Sequence, residues 1–376
     1  MARDVVITGI GLASSLGEGI ETHAQALADN AAPVVDTERF APYPLHPLKA
    51  LELDRQIPKK SDQRQMEPWQ RLGVYAAGLA LDGAGLKQDA EAKSQLQVIV
   101  AAGGGERDHA VDAAILTGLR DANRPGAFLN ERLMSDLRPT LFLAQLSNLL
   151  AGNIAIVHGV TGASRTLMGE EQAGVDAVRT AHARIAAGQA DIILVGGAYN
   201  AERRDMLLLF ELGGYLRTAG FAPVFTRSDA PGMITGSAGA FLVLEAAERA
   251  AARGARVHAR LSHAGAHRSR RQPGSVARAL DDMLAGFGPL APDALAVSAA
   301  TGCAGITEEE AAAIAKAAPD ARRVATGDLV GHAVEAAFPV SIALAAAALS
   351  TGVANEAIVT GAAHWRGEGA ARLVKA

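Results

Sequence analysis

The sequence predicts an α/β protein, on three observations. Short β-branched runs recur along the chain, each followed by a glycine-rich turn. Segments with apolar residues three and four apart separate them, the period of helices. Apolar residues make up 49% of the 376 and charged residues 20%, ordinary for a globular chain that can bury a large core. Strands that alternate with helices of this length imply crossover units and sheets covered on both faces.

The elements follow in order. "VVITGIG" from Val5 reads as a strand whose apolar run breaks at Gly9 and Gly11, too early for a secretory leader. "APYPLHPLKALELDRQIPKKSDQRQ" from Ala41 is polar and proline-rich, an excursion over the surface. "WQRLGVYAAGLALDGAG" from Trp69, "EQAGVDAVRTAHARIAAG" from Glu171 and "EEEAAAIAKAA" from Glu308 have helical spacing. "QVIVAAGGG" from Gln97, "DIILVGGA" from Asp191, "AFLVLE" from Ala240, "ALAVSAATG" from Ala294 and "EAIVTGAA" from Glu356 complete the strands. The longest apolar stretch, Ala336 to Leu349, contains Pro339 and is too short to span a bilayer. No repeat of solenoid period is visible. The order of elements suggests a change of half near residue 246.

Composition excludes several classes. A net charge of −4 leaves no basic footprint for nucleic acid. The single cysteine, Cys303, excludes an internal disulfide framework and a cysteine-rich zinc site, and it fits a reducing cytoplasm. The expectation is a soluble cytoplasmic protein with no metal and no cofactor.

The segment "AGNIAIVHGVTGASRTLMGEEQAGVDAVRTAHARIAAGQADIILVGGA" from Ala151 resembles the β-ketoacyl-acyl-carrier-protein synthases of the thiolase superfamily. So do "VVITGIGLASSLG" at the start and "QMEPWQRLGVYAAGLALDGAGL" from Gln65. "DAPGMITGSAGAFLVLEAAERAAARGA" from Asp229 is similar to the family's glycine-rich signature. The resemblance implies a duplicated architecture of five layers, α-β-α-β-α, with halves 1–245 and 246–376, and an obligate dimer. It also implies an acyl carrier protein as partner.

In that family a cysteine at a helix N-terminus takes the acyl chain, and two histidines promote decarboxylation and condensation. A thiolate there is stabilised by the helix dipole, and imidazoles can donate to an oxygen where charge develops. Counted without gaps from either flank, the cysteine position falls on Glu171. A carboxylate is a poor acyl acceptor, so condensation by the usual route is expected to be absent. Glu170 and Glu171 equally suit a first helical turn, where acidic residues meet the positive end of the dipole. Ser164 and Cys303 are rival nucleophiles, but Ser164 has no base beside it in sequence, and a small buried cysteine is usually inert.

"GDLVGHAVEAA" places His332 on the family's second catalytic histidine and Gly327 where a lysine would stand. The first histidine is replaced by Ala300 or Thr301, so one imidazole is expected to survive. Near the end Trp365 falls at the family's gating phenylalanine, either closing an acyl pocket or filling the core. Basic residues on presumed loops, Lys59, Lys60, Arg203, Arg204, Arg268, Arg270 and Arg271, are candidates to receive an acidic carrier or are solvated charge. The functions implied are a chain-length-factor-like partner of an active ketosynthase in fatty acid or polyketide synthesis, a malonyl-carrier decarboxylase or weak condensing enzyme, or a carrier-binding scaffold. The dimer would accordingly be mixed or homomeric.

Overall fold

The computed structural model describes residues 2–136, 143 and 145–376. Its strands are β1 (Val5–Ser14), β2 (Gly17–Glu18), β3 (Gln97–Ala102), β4 (Ser164–Met168), β5 (Ile192–Tyr199) and β6 (Ala238–Ala246), followed by β7 (Ala259–His267), β8 (Leu295–Ser298), β9 (Arg322–Ala325), β10 (Glu356–Ala362) and β11 (Glu368–Val374). Hydrogen bonding links them in the order β4-β3-β5-β6-β1-β7-β11-β10-β8-β9, with β2 on β1. The first five of that path reappear in reverse as the last five. β3 is parallel to β4 and β5 as β8 is to β9 and β10, and β6 opposes β1 and β5 as β11 opposes β7 and β10. The two sets join where Val6 and Ile7 pair with Arg260 and Ala259.

Among the helices of the described residues, those that form the layers around these sheets are α1 (Pro68–Gly83), α2 (Leu149–His158), α3 (Glu171–Ala186), α4 (Ser275–Ala285), α5 (Ile306–Ala317) and α6 (Ala337–Ser350). α1 starts where Glu67 and Gln70 form a capping box around Pro68. Strand alternation then sorts side chains into layers. Val98, Val100, Ile192 and Leu194 pack outward on Trp69, Val74 and Leu81 of α1 and on Leu150 and Ile154 of α2. Ile99, Ile193 and Val195 face inward on Val175, Val178 and Ile185 of α3. On the other side Ile358 and Ala370 pack outward on Val276 and Leu280 of α4 and Ile314 of α5. The five layers are therefore α1/α2, sheet, α3/α6, sheet and α4/α5. α6 is buried from Ala337 through Leu349. Lying between two sheets, it has no polar face and no amphipathic period, which explains its uniform sequence.

Two local expectations are corrected. Gly9 and Gly11 do not end the first strand; β1 runs on to Ser14. A Cβ at Gly11 would lie 1.8 Å from the Ala76 carbonyl oxygen of α1, so glycine is there to let strand and helix backbones touch. The excursion from Ala41 also holds a short helix, Lys60–Gln65.

Candidate functional site

The site forms where the C-terminal ends of the parallel strands of both sheets converge, the usual place for ligands in such folds. Glu171 is the first residue of α3 and only 6% exposed. Neither its carboxylate nor that of Glu170 is spent on capping. Glu170 makes no side-chain cap bond, and Glu171 is held by two imidazoles. His332 Nε2 donates to Glu171 Oε1 at 2.9 Å, and His364 Nδ1 donates to Oε1 and Oε2 at 2.8 and 3.0 Å. The other nitrogen of His364, Nε2, lies 3.7 Å from the half-exposed carboxylate of Glu170. His364 thus bridges a buried acid and one that reaches solvent.

Glycines set these positions. His332 is carried by a loop that hydrogen-bonds to Ile234 and Gly236, and Gly331 before it has φ +76°. A Cβ on Gly331 would stand 2.5 Å from the Gly236 Cα, so both the dihedral and the space demand glycine. His364 occupies the turn between β10 and β11, and its ring is wedged by the edges of Tyr215 and Phe210 at centroid distances of 4.6 and 5.5 Å.

The electrostatics are mutual. Burial would raise the Glu171 pKa, but hydrogen bonds from His332 and His364, with the His364 charge, outweigh it and hold the carboxyl well below its ordinary range. Burial opposes protonation of His364, yet the hydrogen bond and charge of Glu171, helped by Glu170, raise its pKa. Burial also raises Glu170, against the pull of His364. The imidazole N–H groups point at the carboxylate rather than at free space. Beside Glu171 lies a void of about 10 Å³, lined by Val175, Phe338, Ala362 and Gly367 among others. That is room for about one water, not for an acyl group.

Glu170, Glu171 and His364 offer donor atoms within 4.8 Å of one another, the spacing a small cation would need. The positive end of α3 and two donating imidazoles at the same carboxylate oppose a cation there. The chemistry available is proton exchange among Glu171, His364 and Glu170, facing a cavity of about 500 Å³ lined by Glu170, Met168, Gln172, Arg268, Trp365 and Arg366 among others.

The remaining predicted residues are placed as follows. Ala300 and Thr301 are 1% exposed, and Thr301 Oγ1 accepts the Cys303 amide at 3.2 Å, so the first histidine's position holds no acid or base. Gly327 sits in the helical turn Thr326–Leu329, 2.9 Å by its would-be Cβ from Val224. Ser164 is exposed at the start of β4, with no base in hydrogen-bond contact among the described residues. Burial pushes the Cys303 thiol up to about 12. Iodoacetamide at neutral pH should therefore leave Cys303 unlabelled in the native protein and label it after denaturation, as mass spectrometry would show.

Three expectations are corrected. Trp365 neither closes a pocket at Glu171 nor fills the core; it is 60% exposed at the rim of the open cavity. Its neighbour His364 turns inward instead, so two imidazoles meet Glu171, not one. The strand preceding the turn alternates, and a one-residue offset decides which of two neighbours faces in. Arg203 and Arg271 are not free for docking. Arg203 is 9% exposed and bonds the carbonyls of Gly104 and Gly105 and the Asp205 carboxylate, while Arg271 bonds Glu368 and the Ala363 carbonyl. Arg268 pairs with Asp176 at 2.7 Å; Lys59, Lys60, Arg204 and Arg270 are exposed.

A duplicated five-layer α/β fold with its site at the N-terminus of a central helix defines a thiolase-like ketosynthase architecture. Residues 2–250 match the model of the β-ketoacyl synthase N-terminal domain, and the chain belongs to the β-ketoacyl synthase family. It is 27% identical over 266 residues to 3-oxoacyl-[acyl-carrier-protein] synthase 2 of Vibrio cholerae serotype O1, covering 68% of this chain and 61% of that protein. It is also 27% identical over 261 residues to the tetracenomycin polyketide synthase ketoacyl synthase beta subunit of Streptomyces glaucescens, covering 67% and 60%. The chain thus spans about three fifths of the length of the curated relatives it matches. Among solved structures it superimposes on the ishigamide ketosynthase/chain length factor with a TM-score of 0.81 at 25% identity, covering all of both chains.

Proposed function

We propose that this chain is a non-condensing ketosynthase homologue that pairs with an active ketosynthase in fatty acid or polyketide synthesis, in the manner of a chain-length factor. The observation that carries this reading is the buried Glu171 carboxylate, locked by His332 and His364 where a sulfur would have to accept the acyl chain. The Nε2–H of His332 and the Nδ1–H of His364 are spent on that carboxylate, which speaks against decarboxylation too. Likeness to a ketosynthase/chain length factor and to a polyketide ketoacyl synthase beta subunit supports the pairing. On this reading residues 1–245 and 246–376 are the two halves of the duplicated unit. The exposed edge of β4, which among the described residues pairs with β3 alone, offers a surface for the partner subunit. Arg268, Arg270, Trp365 and Arg366 border one groove and receive an acidic carrier protein.

Co-expression with a ketosynthase from the same genome should yield a stable one-to-one mixed dimer by native mass spectrometry. The purified chain alone should transfer no acyl group onto a malonyl carrier. Only homodimers, with every candidate ketosynthase, would favour a carrier-binding scaffold; condensation or malonyl decarboxylation by the chain alone would refute the proposal.

A further inference from the structure

We infer that a pocket at the start of α5, away from Glu171, binds a tetrahedral oxyanion of the phosphate type through Arg227 and Thr307. The starting point is an unusual buried cation. Among the described residues three arginines are no more than 9% exposed: Arg203, Arg217 and Arg227. Arg203 meets Asp205 at 2.6 Å and Arg217 meets Asp229 at 3.7 Å, but Arg227, 3% exposed, has no carboxylate within 4.0 Å. Its Nε and Nη1 donate to the carbonyls of Ala222 and Gly232 at 2.8 and 2.9 Å, and its Nη2 has no hydrogen-bond partner among the described residues. Asp328 acts on it only through space, and the Asp328 carboxylate already accepts the Val224 amide at 2.7 Å. A guanidinium taken out of water with a spare N–H and no counter-ion is costly, and an anion would remove that cost.

Independent groups converge on the same place. Thr307, 5% exposed and the second residue of α5, has a hydroxyl without a hydrogen-bond partner. Arg227, Ser228, Gly302, Thr307 and Glu308, together with the apolar Val224, Phe225 and Ala311, line a pocket of about 90 Å³. A water needs about 10–15 Å³ on this measure, so the space suits a phosphate-sized group. The pocket lies at the N-terminus of a 12-residue helix whose N-cap, Gly305, supplies no side-chain cap, so the helix dipole favours negative charge there. Gly302, at φ +86°, lies against the guanidinium: a Cβ there would fall 2.6 Å from Arg227 Nη1. Only glycine lets the loop approach the arginine this closely. Two carboxylates oppose the anion: Asp328, acting through space, and Glu308. Glu308, exposed at the rim, places a negative charge beside the entrance. The chemistry is shared by free phosphate and by the phosphate of a larger monoester.

Isothermal titration with inorganic phosphate and with glycerol 3-phosphate, against chloride at matched ionic strength, tests this on the intact chain. Saturable binding is expected. Arg227→Gln should weaken it by about tenfold or more, since a charge-assisted bond is lost. Thr307→Val should weaken it about three- to fivefold, and Glu308→Gln should tighten it about two- to threefold by removing the opposing charge. If Arg227→Gln does not fold, the opposite shifts of the other two variants carry the test. Tighter binding of the monoester would assign the site to a phosphoester ligand, and equal or weaker binding to the free anion. No saturable phosphate binding by the wild type, or binding unchanged in Arg227→Gln and Thr307→Val, would overturn the inference.

Discussion

Glu171→Ala should destabilise the folded chain by about 3–5 kcal/mol, the usual consequence of removing one partner from a buried ion pair and stranding the other. Two imidazoles, from the loop before α6 and from the β10–β11 turn, lose their acceptor at once. Glu171→Gln keeps the shape and one acceptor and should cost less, about 1–3 kcal/mol. The pH dependence separates an ion pair from simple packing. The His364 pKa is raised above its ordinary 6.5, so its contribution is full below pH 6.5 and fades as pH rises through the raised value. The Glu171 pKa is lowered from 4.5, so its contribution is full above pH 4.5 and fades only as pH falls through the lowered value. The difference between wild type and Glu171→Ala should be largest between these ordinary values and shrink in alkali. Urea unfolding across that range measures it. A difference independent of pH would mean that the carboxylate acts by filling space.

The fold was legible where burial writes a strong pattern. Every strand read from a continuous apolar run, β1, β3, β5, β6, β8 and β10, is buried between layers, where both faces need apolar side chains. Among the strands not foreseen, β4, β7 and β9 read "SRTLM", "ARLSHAGAH" and "RRVA". β4 and β9 are the two edges of the sheet, and charged or polar residues belong on edges because they discourage further pairing. Glu171 and His332 could be located by registration along the chain, since each follows a recognisable run. His364 could not. Its role depends on which of two adjacent residues in a tight turn faces inward, and "AHW" offers Trp365, the bulkier apolar side chain, as the more tempting choice. Arg203 and Arg271 look like surface charge in sequence; only tertiary contacts show that backbone carbonyls already occupy them.

Gly174→Val should cost about 3 kcal/mol or more, at or beyond the upper end of overpacking penalties, because nothing near it can yield cheaply. Gly174 lies one turn past Glu171 on α3, and its missing Cβ would stand 2.4 Å from the Glu335 carbonyl oxygen and 2.8 Å from Pro339 Cδ of α6. Both obstacles are backbone or ring atoms of the other central helix and its approach, fixed by the core between the sheets. Val334, just before Glu335, already holds a left-handed φ of +42°, so this stretch has little freedom to retreat. A valine must therefore push α3 and α6 apart, and that separation runs straight through the site. Glu335 is three residues beyond His332, so displacing it draws the imidazole away from Glu171 and breaks the ion pair as a second effect. The two substitutions should then be non-additive. Combined, Gly174→Val and Glu171→Ala should cost less than the sum of the single losses by about 1 kcal/mol or more, as expected for positions sharing one network. Denaturant midpoints of the two single variants and the double variant close the cycle, and strict additivity would show that the glycine contact and the Glu171 cluster are mechanically separate.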